Sequence, residues 1–418
     1  MLKLGKYSLG IGDRFGHECV AQLKALKKAK ENGIVITPVW NKSNRENIIT
    51  NSLPSYTRQA ADNAVNYLDW EGDYFVDADH INLSNVDNFI ESCDFFTIDV
   101  ADYVNKMSEM EDVDKFIGTN LKYLGKLNIN GIPKSFSISE SDLKYIAQKY
   151  LRAGLEAGKI YRRIERTKGK GNFITEVSMD ETSEPITQVE LFFILSILAE
   201  QNIPLQTIAP RFTIDFLKGV DCSGDISTFS QEFEDFLHVI DYAIKEFGLP
   251  DNLKLSIHSG SDKFSIYPEI KRLTAKHNKG FHLKTAGTTW LEEIIGLCLA
   301  DKKSLELVKS IYKIALTRID ELIAPYTGLV KIDISKLPSI TEIQGWDGDK
   351  MANSIKHNKL HPDYNPHLRQ LMHVSYKIAA ELGDEYTNSL KKYSNVIEQQ
   401  VFYNIYNRHL CKLFDLPD

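Results

Sequence analysis

The chain has 418 residues, 43% of them hydrophobic, which is ample apolar material for a large closed core. Its 57 acidic and 50 basic residues leave a formal net charge of -7; with no long basic block, and with Lys24 to Lys30 reading as the solvated face of a helix, a nucleic-acid partner is disfavoured. Five scattered cysteines without CxxC spacing argue against a disulfide framework or a thiolate zinc site and for a reducing cytoplasm.

The opening MLKLGKYSLG has no sustained apolar stretch, so a soluble, unanchored protein is expected. In chain order, short apolar runs bounded by turn residues predict strands at Tyr7 to Gly10, Ile34 to Trp40, Tyr74 to Asp79 and Phe95 to Asp99. Four more follow at Phe173 to Met179, Leu205 to Phe212, Leu253 to His258 and Phe281 to Thr285. Between them, helical spacing of apolar residues marks Val20 to Glu31, Asn85 to Ser92, Val189 to Gln201 and Phe229 to Phe247. The apolar stretch from Leu191 to Ala199 is far short of the ~18 residues a membrane span needs. Eight alternations predict an α/β fold, a (β/α)8 TIM-type barrel. Two regions exceed a minimal barrel. One is Tyr103 to Lys170, rich in helix formers around Lys144 to Arg166; the other is a helical extension from Leu291 onward, with a further apolar run at Leu329 to Ile334. A single compact domain over residues 1–418 is expected.

Side chains two apart on a strand share a face, which groups Asp77 with Asp79, Thr97 with Asp99, Glu176 with Ser178 and His282 with Lys284. In a barrel, polar residues at strand C-termini ring the open end, where catalytic groups belong. Glu176, His258 and His282 form an imidazole and carboxylate set suited to one divalent ion of the Zn, Ni, Mn or Co kind; each histidine equally reads as one hydrogen-bonded within a buried turn. Asp79, His80 and Asp99 stand at strand ends as further ligands or acid/base groups, or as plain N-caps, and Asp180 and Glu181 carry the same choice. Arg14, Arg45, Lys263 and Lys284 are the anion-holding candidates. GIGDRFG lacks the GxGxxG form, so no nucleotide cofactor is expected. His373 and His409 fall in amphipathic helical stretches and read as core or surface residues.

The segments GIGDRFG, REN, VDADH, FTIDVAD, EVSMDET, APRF, GVDCSGD, SIHSGSDKFSIYP, FHLKTAGT and LMHVSY, in this order, resemble the tagaturonate epimerase (tagaturonate/fructuronate epimerase) family. The resemblance implies a metal-dependent barrel that interconverts two keto-hexuronates, with Glu176, His258 and His282 as ligands. It offers Asp79 as a fourth ligand and Asp99 as an acid/base. Departures from the family pattern fall at residues 48–63, at Val100 and at Cys222, flanking the presumed pocket.

The carbon inverted in that reaction is β to the ketone, so simple enolisation does not acidify its C–H. With no nicotinamide or flavin fingerprint, metal-assisted retro-aldol cleavage is the expected route. Asp99 or Asp79 would take the hydroxyl proton, Lys284 would balance oxyanion charge, and Arg14, Arg45, Lys263 and Thr285 would contact the sugar acid. Two alternatives are metal-dependent chemistry on a related keto-sugar or sugar acid, and a catalytically silent sugar-acid-binding barrel.

Overall fold

The computed structural model describes residues 1–285 and 288–417; Ala286 and Gly287 of the FHLKTAGT segment lie outside the described residues. Eight parallel strands close into a barrel. They are β1 (Tyr7–Gly12), β2 (Ile36–Ser43), β3 (Phe75–Ile81), β4 (Phe95–Asp99), β5 (Ile174–Met179), β6 (Thr207–Pro210), β7 (Lys254–His258) and β8 (Phe281–Lys284). Each pairs with the next, and β8 closes on β1 from Tyr7 opposite Phe281 to Gly10 opposite Lys284. These are the strands expected from the sequence, with ends displaced by a few residues.

Strand alternation sorts the side chains into two environments. Leu9, Ile11, Trp40, Val76, Phe96, Val177, Ile257 and Leu283 point outward and join the main core beneath the helices. Inside the barrel, Leu4, Val39, Phe75, Phe95 and Ile174 form a separate apolar plug at the floor. Burying each of these large side chains contributes about 1.5–3 kcal/mol. Two residues further along their strands come Asp77, Thr97 and Glu176, all buried, and two beyond those stand Asp79, Asp99 and Ser178. The barrel is thus oily below and charged above.

Helix Gln188–Glu200 begins with a capping box in which Thr187 accepts from Glu190 N. Helix Thr288–Ala300 is buried on nearly every side, because the barrel covers one face and helices Gly348–Ile355 and Ser394–Tyr403 of the C-terminal extension cover the others. Gly296 permits that approach: a Cβ there would come within 2.7 Å of Ile397 Cγ1.

Between β4 and β5 the helices Met110–Asn120, Glu140–Ile146 and Arg152–Lys168 fill the expected insertion. An unpredicted antiparallel hairpin, Gly125–Leu127 with Phe136–Ile138, sits among them; strands of three residues carry too little alternation to read. The helix expected over Asn85 to Ser92 is a single 3-10 turn, Val86–Asn88. The apolar run Leu329 to Ile334 forms no strand. Its backbone is used elsewhere, with Leu329 O accepting from Lys218 N (2.7 Å) and Lys331 N donating to Gln370 Oε1 (2.9 Å). All five cysteines are free thiols. Among the described residues no helix is long and apolar enough to cross a membrane.

Candidate active site

A cavity of about 450 Å³ opens at the C-terminal ends of the strands. Of the residues singled out in the sequence, Arg14, Arg45, Asp79, His80, Asp99, Asp180, Glu181, His258 and Lys284 line it. Glu176 and His282 are fully buried and do not reach its wall. Two others are not brought to it. Lys263 is buried with Nζ donating to Ser261 Oγ at 2.8 Å, and burial pulls its ammonium down to about 7. Thr285 is buried beside β1, its N donating to Gly10 O at 2.9 Å.

Lys284 is the hub of the barrel interior. Its Nζ lies 2.7 Å from Asp77 Oδ2, 2.9 Å from Asp79 Oδ1 and 3.0 Å from Glu176 Oε1. One ammonium among three carboxylates splits their proton affinities. Burial pushes Asp77 up to about 7 against the pull of Lys284. Asp79 is driven the other way, to about 2, because Lys284 and His80 outweigh its burial. Glu176 is held well below the usual carboxylate range, Lys284, His258 and His282 overcoming burial. Gly10 leaves room for this: a Cβ there would stand 2.6 Å from Lys284 Cγ.

Above this layer His258 bridges two carboxylates, donating through Nε2 to Glu176 Oε1 (2.8 Å) with Nδ1 at 3.2 Å from Asp180 Oδ2. Burial would lower its pKa, but Asp180 and Glu176 prevail and raise it to about 9. His80 faces it with ring centroids 5.3 Å apart. A register shift between Ala78 and Ile81 interrupts the pairing of β3 with β4, and His80 takes φ 53°, a left-handed backbone rare outside glycine and asparagine. That irregular backbone aims the imidazole into the cavity, where Nδ1 lies 3.2 Å from Asp99 Oδ2.

The donor atoms of His80, Asp180 and His258 all lie within 4.8 Å of one another. Two imidazoles and a carboxylate at that spacing fit a divalent ion of the Zn, Ni, Mn or Co kind, with Glu176 behind His258 as the orienting carboxylate. The expected set shares only His258 with this one. Glu176 Oε1 is engaged by Lys284, Thr97 (3.1 Å) and His258, while its Oε2 is buried without a partner. His282 hydrogen-bonds Ser8 Oγ through Nδ1 (2.9 Å), its Nε2 is buried without a partner, and burial lowers its pKa to about 3.

Loops and the C-terminal extension complete the wall. Arg14 donates to Glu46 Oε1 (2.8 Å) and stacks 3.9 Å from the Tyr376 ring centre. Arg45 lies 4.9 Å from the Tyr326 ring centre. Lys218 reaches in across Gly260, where a Cβ would come 3.1 Å from its Nζ. Nearby Asp215 and Asp221 are paired instead with Lys331 and Lys359. His373, read from sequence as core or surface, lines the cavity with both ring nitrogens buried and unpartnered. Burial, Arg14 and Lys218 hold it well below the usual histidine range. Strand-end position had flagged His80 and Asp180; nothing local marks Lys218 or His373, which arrive through loop and helix packing.

A tagaturonate epimerase family model matches residues 1–416. The tagaturonate/fructuronate epimerase of Thermotoga maritima is 28% identical over 427 residues, covering 98% of this chain and 80% of that protein. Crystal structures of the fructuronate-tagaturonate epimerase of Cohnella laeviribosi, 24% identical, share the fold. The native form superposes with a TM-score of 0.81 and a two-glycerol complex with 0.82, each covering 99% of this chain and 82% of that one. A closed barrel whose charged mouth is finished by a C-terminal helical extension, matched nearly end to end by one family, leaves a single assignment: the chain belongs to the tagaturonate epimerase family, whose members are isomerases.

Proposed function

We propose that this chain interconverts D-tagaturonate and D-fructuronate by retro-aldol cleavage and re-addition at the carbon β to the ketone. The observation that carries this reading is Lys284, an ammonium with three carboxylates within 3.0 Å, directly beneath the His80, Asp180 and His258 cluster. Such a layered charge pattern suits a substrate that must develop and then lose an oxyanion.

Asp99 takes the proton from the hydroxyl on the inverting carbon. Its Oδ1 is fixed by Ala101 N (3.0 Å) and its Oδ2 faces His80, while Asp79 is tied to Lys284 and too weak a base. The bond between the α- and β-carbons breaks, its electron pair passing to the ketone half as an enediolate and leaving an aldehyde. Lys284 balances that negative charge from below. Rotation of the aldehyde and re-addition on its other face, with Asp99 returning the proton, gives the epimer. A divalent ion held by His80, Asp180 and His258 would supply Lewis-acid polarisation of the ketone and its neighbouring hydroxyl. The uronate carboxylate is held at the mouth by Lys218 and Arg45, since Arg14 is committed to Glu46.

Chelator-treated protein should lose turnover of tagaturonate and regain it with Zn, Ni, Mn or Co. Full turnover after exhaustive chelation would remove the ion from the account.

A further inference from the structure

Away from the cavity, helix Ile226–Phe247 presents Glu234 and His238 one turn apart, so both side chains share a face. The neighbouring helix Tyr267–Lys276 ends with His277 as its C-cap, packed against them. His277 Nε2 lies 2.6 Å from Glu234 Oε1, and the rings of His238 and His277 stand 4.7 Å apart at 80°. One donor atom from each of the three residues lies within 4.8 Å of the others. Donors about 2.0–2.2 Å from one tetrahedral metal stand about 3.3–3.6 Å apart, so atoms already within 4.8 Å need only small side-chain rotations to close on an ion. All three side chains are part-buried, so they are held yet reachable.

His238 is pinned from behind. A Cβ at Gly131, where φ is 94°, would fall 2.2 Å from His238 Nδ1, so the inserted segment packs its backbone directly on the imidazole edge. A cation already occupies the carboxylate: Lys276 Nζ, on an exposed and flexible stem, sits 2.7 Å from Glu234 Oε1.

We propose that Glu234, His238 and His277 form a second divalent-metal site, taking a zinc-class transition ion that displaces Lys276 and clasps the two helices together. Two imidazoles and one carboxylate select such an ion over calcium or magnesium, and three protein ligands leave a position for water. The clasp joins the helices that lead into β7 and β8, so its effect falls on stability rather than turnover.

The test is the zinc content of the full chain after metal stripping and dialysis against Zn²⁺, with melting followed in parallel. His238→Ala/His277→Ala should lose about one zinc equivalent and the zinc-dependent rise in Tm, with epimerase turnover within about twofold of the parent. His80→Ala/Asp180→Ala, which removes the cavity set instead, should keep both the peripheral ion and the Tm rise. Should the first variant fail to fold, Glu234→Gln decides: it keeps a hydrogen bond to His277 without the charge, and should weaken zinc binding at this site about tenfold or more. Unchanged zinc content and an unchanged zinc-dependent Tm rise in these Glu234 and histidine variants would overturn the proposal.

Discussion

His258 Nε2 donates to Glu176 Oε1 across 2.8 Å, tying the imidazole at the cavity floor to the carboxylate layer beneath it. The contact fixes which nitrogen of His258 faces Asp180. Glu176→Gln should therefore weaken divalent-ion affinity about 10–100-fold while the barrel still folds, as expected when a carboxylate orienting a ligand is removed. Calorimetric titration with Zn²⁺ or Ni²⁺ measures it, and unchanged affinity would place the ion elsewhere.

Replacing Lys284 by Met leaves Asp77, Asp79 and Glu176 buried without their shared cation. Breaking such a buried cluster costs about 3–5 kcal/mol, and loss of the charge facing the oxyanion should lower kcat about 10²–10³-fold. Gly10→Ala should damage the same hub from the side, because its Cβ would meet Lys284 Cγ at 2.6 Å and His282 Nε2 at 3.3 Å. Denaturant melts and turnover numbers for the two variants check this together.

Lys218→Met should raise KM for uronates about 10-fold or more with kcat little changed, the signature of lost uniform binding. A neutral ketose bearing a hydroxymethyl in place of the carboxylate should be handled equally by parent and variant. A fall in kcat alone would move Lys218 from holding the carboxylate to the chemistry.

Asp262, at the loop that follows His258, ties the C-terminal extension to the barrel. It accepts from Arg369 (2.9 Å) and contacts His357 (3.2 Å) and His409 (3.0 Å). Burial, aided by Arg369 and opposed by the Asp262 hydrogen bond, lowers His357 from 6.5 to about 4. Below pH 6.5 the unfolded chain therefore takes up the proton first, so this contribution to stability is complete above pH 6.5 and is lost as pH falls toward about 4. Tm of the parent should fall more steeply across that window than Tm of His357→Gln. Parallel curves would contradict the assignment.

Much of the scaffold was legible because a parallel barrel writes itself as apolar runs between amphipathic helices, and because alternation correctly paired Asp77 with Asp79 and His282 with Lys284 on the inward face. Depth was not legible. Alternation places Glu176 and His258 on one face but does not say that Glu176 lies beneath the cavity and His258 at its wall, since strand stagger sets that height. The left-handed backbone of His80 follows from a register shift between two strands, a tertiary event with no local mark in VDADH. Lys263 misled for the reverse reason: it follows a strand end closely in sequence, but its loop folds back and seals the side chain against Ser261.

Inversion of the β-carbon by breaking and remaking a C–C bond is tested most directly by converting tagaturonate in deuterium oxide and following the product by NMR. Fructuronate should form with its original hydrogen retained at the inverted carbon. Deuterium at that carbon would show base abstraction there and contradict it.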